Sequence, residues 1–216
     1  MPPGPTYTSV LQGLIRWNSY VALVMVPPLF GRGALPLGAL AIALLVPAAN
    51  LVSVAALARH GSGSRGLRAV PRALLTNPLI LGCAAGVAWN LAGPPLPALL
   101  AEPVGLLSRA TLALGLLSVG AALEPAAVGR RPGLLLLVAA GKLLAMPLVA
   151  WSLGRLLGLS GAPLGVAVLA VAAPTATASY ILARLLGGDA ELMAAIVAAT
   201  TLGALVTLPL ILSLPF

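Results

Sequence analysis

Apolar residues run along this chain in long blocks separated by short polar or Gly- and Pro-rich segments, without the strict alternation that membrane β-barrel strands require. Blocks at Gly13–Gly31, Ala34–Leu57, Asn77–Ala92, Gly105–Leu123, Leu134–Leu153, Leu164–Leu186 and Leu192–Leu214 approach the roughly 20 residues that cross a bilayer as a helix. The pattern predicts an all-α membrane protein with seven transmembrane helices. Two blocks are irregular. Gly13–Gly31 carries Arg16 and Asn18 near its start and Pro27–Pro28 near its end, and reads as a discontinuous span. Leu164–Leu186 contains Ala173–Arg184, "APTATASYILAR". Pro174 has no N–H, and its ring opposes the carbonyl one turn back, so the helical ladder opens there. Freed backbone groups survive at membrane depth only where protein or a water-filled cavity satisfies them. Thr175, Thr177 and Ser179 bring hydroxyls to this break. They either line a solute site of the kind transporters build at broken helices, or bond back to their own helix around a simple kink.

Composition agrees with the pattern: 60% of residues are hydrophobic and only 7% charged, and the mean hydropathy is +1.10. The net charge of +8 reflects arginines placed mainly between spans, where they orient a protein in the bilayer, so no nucleic-acid partner is implied. Arg59, Arg65, Arg68, Arg72, Arg130, Arg131 and Arg184 fall on one predicted side, against Arg32 and Arg155 on the other. That places the basic loop 59–76 in the cytoplasm and the C-terminus outside, in a multi-pass protein of the cell inner (plasma) membrane. The opening "MPPGPTYTSV" reads as a polar leader and lacks a basic segment followed by an apolar core. Cys83 is the single cysteine and His60 the single histidine, and there is no HExxH, paired CxxC, GxSxG or P-loop. No cofactor, metal or enzymatic chemistry is expected.

Lys142 is the most informative charge. It lies nine residues past Gly133, about 13 Å along a helix at about 1.5 Å per residue, near mid-membrane. Such a residue either gives positive potential to an anion site or has a structural role, snorkelling along its stem or pairing with helix carbonyls. Arg109 reads as an interface anchor. Asn18 suits an amide donor to a carboxylate, a cap for broken backbone, or both; Asn50, Asn77 and Asn90 read as interhelical bonds or helix ends. Glu102, Glu124, Asp189 and Glu191 fall at loops or span ends, so none of them is placed for a mid-membrane proton relay.

Four segments, "LQGLIRWNSYVAL", "VPAANLVSV", "NPLILGCAAGV" and "APTATASYILARLLGGDAEL", occur in an order and spacing that resembles the auxin efflux carrier family, whose plant branch is the PIN-type carriers. The resemblance runs from about Leu11 to Pro209. It implies a remnant of a ten-helix inverted-repeat transporter fold, with two broken crossover helices meeting near the membrane centre. Helices four to ten would be present and the first three missing. On that mapping, residues 1–58 are the end of the first repeat with two helices, 59–76 the cytoplasmic connection, and 77–216 a complete second repeat of five helices.

Asn18–Ser19 matches the family's Asn-Thr at the first break, and Pro174–Thr175 the Pro-polar pair at the second. Trp17 stands where the plant carriers have proline, so the first break must rest on bonds from the Asn18 side chain or be less open. The resemblance implies an efflux carrier for small organic anions, such as carboxylates or auxin-like acids. Asn18, Ser19, Lys142, Pro174, Thr175, Thr177 and Ser179 are the expected substrate-binding residues. The alternative is an N-terminally truncated or non-transporting membrane subunit, with Arg16, Asn18 and the backbone near Pro27–Pro28 facing lipid unless another chain or a homodimer partner covers them.

Overall fold

The computed structural model describes residues 4–62, 70–76, 78–93, 97–121 and 131–216. Arg65, Arg68, Asn77, Glu124 and Arg130 lie outside the described residues, as do the side chains of Cys83 and Arg109. Within them the chain is helical throughout: α1 (Gly4–Ile15), α2 (Ser19–Phe30), α3 (Leu35–His60), α4 (Val70–Leu75), α5 (Pro78–Ala92), α6 (Ala98–Ala121), α7 (Pro132–Ala140), α8 (Met146–Leu156), α9 (Gly161–Ala172), α10 (Ala178–Leu186) and α11 (Ala190–Leu212). Arg32–His60, Pro132–Leu156 and Ala190–Leu212 are each long and apolar enough to cross a membrane. Shorter apolar helices cover Ile80–Ala92 and Gly161–Ala172.

Both expected interruptions are present. The first separates α1 from α2 at Arg16–Asn18, and the second separates α9 from α10 at Ala173–Thr177. No half-helix exceeds 12 residues, or about 18 Å, so none reaches across a core of about 30 Å by itself. The interruptions satisfy one another. The Asn18 N–H donates to the Pro174 carbonyl at 2.8 Å, and the Thr175 hydroxyl donates to the Gly13 carbonyl at 2.7 Å. The Thr175 N–H donates to Thr200 Oγ1 on α11 at 3.2 Å, and that hydroxyl passes its own proton to the Ile196 carbonyl at 2.8 Å. Groups left open near the end of α1 and just after α9 are thereby closed inside the protein, as an apolar setting demands.

Several expectations are corrected. The polar leader is the body of α1, and its Thr8, Ser9 and Gln12 are buried rather than exposed. Pro27 and Pro28 lie inside α2, which continues to Phe30 and closes with the Gly31 N–H on the Pro27 carbonyl at 3.0 Å. Arg16 and Asn18 are 5% and 2% exposed, because α3 and α10 cover them. Part of the basic loop is helical, as α4, and α6 begins at Ala98, ahead of the apolar block expected to start at Gly105.

Asp189 ties one end of the molecule together. Its carboxylate caps α11 by accepting from the Leu192 N–H at 3.0 Å, pairs with Arg131 at 3.1 Å and accepts from Thr6 at 3.3 Å. Its backbone N–H donates to the Pro5 carbonyl at 3.2 Å, while Ser62 N–H reaches the Gly187 carbonyl at 2.7 Å. The starts of α1 and α11 and the ends of α3 and α10 therefore meet here. Outward faces carry Leu40, Leu44 and Leu51 on α3 and Leu205, Val206 and Leu210 on α11, which suit hydrocarbon.

Two stability outcomes follow for thermal unfolding in detergent. Thr175→Val leaves the buried Gly13 carbonyl without its donor and costs about 1–3 kcal/mol, whereas Thr175→Ser keeps the donor and costs less. Asp189→Ala removes a cap and an exposed ion pair, together about 1–2 kcal/mol. Asp189→Asn retains the cap and loses less than half as much; equal losses from Ala and Asn would show that the charge, not the cap, holds this end.

Candidate functional site

A cavity of about 180 Å³ lies where the two interruptions meet α3, lined by residues 16–20 from the first break, 176–178 from the second, and Val46, Ala49 and Asn50 from α3. Its chemistry is set by how each break is made. Asn18 adopts an extended backbone (φ −80°, ψ 95°), and its Oδ1 accepts from the N–H groups of Tyr20 at 3.1 Å and Val21 at 3.2 Å. That is an N-cap, so an asparagine opens the first break without the family's proline. The Asn18 Nδ2 is left buried and without a partner.

The second break is uncapped. Thr177 precedes α10 with no side-chain bond to the helix, and Ala176, Thr177 and Ala178 border the cavity. The open N-terminal end of a nine-residue helix, with its positive dipole end, therefore faces the space.

Arg16 supplies the full charge. Its N–H still completes the last turn of α1, on the Gln12 carbonyl at 2.9 Å, and its Nη1 donates to Asn50 Oδ1 at 2.7 Å. Both side chains are buried, and Nε has no partner. No carboxylate is among the buried polar residues described, so the guanidinium has no counter-ion among the described residues. A buried charge with one neutral partner is strongly disfavoured unless an anion completes it. Arg16 was not among the expected site residues, because starting the span at Gly13 placed it at a membrane boundary. The signal that finds it is the spacing Ser9, Gln12, Arg16, which lines one helical face with polar groups.

The expected site residues divide. Asn18, Ser19 and Thr177 border the cavity. Pro174 contributes its carbonyl to the Asn18 N–H, and Thr175 is fully buried with its hydroxyl committed to Gly13. Ser179 is also fully buried, with no partner for its hydroxyl. Lys142 lies elsewhere. It sits in a π-helical turn, Gly141–Ala145, between α7 and α8, where the Met146 N–H reaches back five residues to the Gly141 carbonyl. Pro147 follows one residue later; its missing N–H and the ring's pressure on the preceding turn account for the wider coil.

Lys142 is 1% exposed and borders a second cavity of about 260 Å³, otherwise walled by apolar side chains including Leu14, Ile15 and Met146. Trp17 borders both cavities, and its buried indole N–H has no partner. Both cations thus flank the same residue of the first break.

Comparison with curated proteins finds no match, and comparison with solved structures finds none. A family model described as membrane transport protein matches residues 37–212, which includes the second break and leaves the first outside the matched segment. That match covers well over half of the chain and three of its four motifs, and agrees with the resemblance they carry: the chain belongs to the membrane transport protein family, the family of the auxin efflux carriers.

Proposed function

We propose that this protein is a secondary carrier for small organic anions such as carboxylates, with the meeting point of its two interrupted helices as the solute site. One observation carries the reading: a buried arginine, with no buried carboxylate among the described residues, shares a cavity with the uncapped N-terminal end of α10. A carboxylate there would accept from Arg16, from N–H groups at the start of α10 and from Asn18 Nδ2, each a donor that the fold leaves open. Lys142 adds positive potential from the neighbouring cavity.

The reading extends to topology. Ser19–Tyr20 and Ser179–Tyr180 both open the half-helix that follows a break, which supports two related halves of opposite orientation within a seven-span arrangement. Arg59 and Arg184 lie near the end tied by Asp189, where Arg131 makes its ion pair, and their positive charge supports a cytoplasmic position for that end. The C-terminus is then outside. With no buried carboxylate among the described residues to relay a proton, the membrane potential drives an anion outward, at about 2.3 kcal/mol per charge per 100 mV.

Arginine variants test this directly. Arg16→Ala should weaken binding of small carboxylates to the purified protein about 10-fold to 100-fold and reduce counterflow accordingly, with Arg16→Lys between the two. Lys142→Ala should weaken binding less than Arg16→Ala and leave membrane insertion intact, since removing a mid-membrane charge eases insertion. Carboxylate affinity unchanged in Arg16→Ala would refute the site.

A further inference from the structure

Beneath the Arg16–Asn50 pair, toward the end tied by Asp189, lies a second set of polar groups that the carrier reading does not use. Gln12 on α1, Ser53 on α3 and Ser179 on α10 are each 0% exposed. Both amide atoms of Gln12 and the hydroxyls of both serines have no hydrogen-bond partner, and Arg16 Nε is likewise open. Buried polar groups in proteins are almost always bonded to protein, water or an ion, so several orphans together call for a common occupant.

Helix register places them together. α1 and α3 run antiparallel: a side chain at Gly4 would strike the His60 carbonyl, and Arg16 bonds Asn50. Gln12, one turn before Arg16, is therefore level with Ser53, one turn after Asn50. α10 runs parallel to the second half of α3: Ser62 N–H meets the Gly187 carbonyl, and Leu57 packs with Leu182. The same offset sets Ser179 level with Val54, beside Ser53. Arg16 stands just past the end of α1, one turn beyond Gln12, whose carbonyl accepts from the Arg16 N–H. None of these polar atoms bonds another, so each still needs a partner.

The sign of the field decides what it is. A cation bound to the Gln12 and serine oxygens would sit about one helical turn from an arginine with no internal counter-ion. A water molecule would satisfy the orphans and leave that charge uncompensated. An anion accepts from Gln12 Nε2, both hydroxyls and Arg16 Nε and neutralises the guanidinium, leaving only Gln12 Oε1 of these orphans without a donor. We infer that Gln12, Ser53, Ser179 and Arg16 form a site for a chloride-sized inorganic anion, separate from the solute cavity, which none of Gln12, Ser53 and Ser179 borders. The bound ion serves as the resident counter-charge of Arg16 when the solute cavity is empty.

Thermal unfolding of the purified protein tests this with no organic acid present, sodium chloride replacing sodium gluconate at constant ionic strength. The expected result is an unfolding temperature that rises saturably with chloride, and with bromide in its place, as for any ligand bound only by the folded state. In gluconate, the Ser53→Ala/Ser179→Ala variant should unfold at or above the parent temperature, because it lacks two unsatisfied hydroxyls. Its half-saturating chloride concentration should rise about 10-fold or more. If the double variant does not fold, Ser53→Ala and Ser179→Ala singly carry the same comparison.

Equal parent unfolding temperatures in chloride and gluconate would mean an ordered water only, and would overturn the site. A chloride response unchanged in the serine variants would overturn it too, by placing the ion elsewhere. Neither failure touches the carrier reading, whose own test is carboxylate affinity in chloride-free solution.

Discussion

Two helices broken at the same depth are tolerable only because each break supplies what the other lacks. Pro174 ends the ladder of α9, and its carbonyl is taken by the Asn18 N–H; the end of α1 exposes the Gly13 carbonyl, taken by the Thr175 hydroxyl. α11 underwrites the arrangement through Thr200, which accepts from the Thr175 N–H and anchors itself to Ile196. In a medium without water each of these groups would cost several kcal/mol unpaired. The crossing is therefore the constraint on which the rest of the fold is arranged. It also shapes the proposed site, because a helix that restarts after a break presents open N–H groups where no continuous helix can.

Charge follows from the same geometry. Arg16 stands at the last turn of α1, so the break carries its guanidinium into the space between α3 and α10. Lys142 reaches the other side of Trp17 from a π-helical turn, an independent distortion in a different helix. Two buried cations, with no buried carboxylate among the described residues, make the centre of this protein positive, which supports the proposed anion site.

The second break was legible in the sequence because Pro174 dictates it, and the first because Asn18 is a strong cap, even with Trp17 in the family's proline position. What was not legible depended on distant partners. "GPTYTSVLQG" reads as a solvated leader, yet it is α1, whose Thr6 and Ser9 bond Asp189, 183 and 180 residues away in sequence. Misplacing that helix by one half moved Arg16 to a boundary and hid it from the site. Hydroxyls at the second break looked alike in sequence, but Thr175 is committed to the Gly13 carbonyl, Thr177 borders the cavity and Ser179 is fully buried without a partner, a division set by helical phase and neighbour register. The π-helical turn at Lys142 had one sequence signal, Pro147, which alone also suits an ordinary kink.

Binding of matched solute pairs to the purified protein in chloride-free solution tests the anion site most directly, comparing small carboxylic acids with their neutral methyl esters of nearly equal shape. A cavity built around Arg16 and the start of α10 should bind the acids and reject the esters, and that preference should vanish in Arg16→Ala. Esters bound as tightly as acids would contradict it, since an apolar cavity that ignores charge would have no use for a buried arginine.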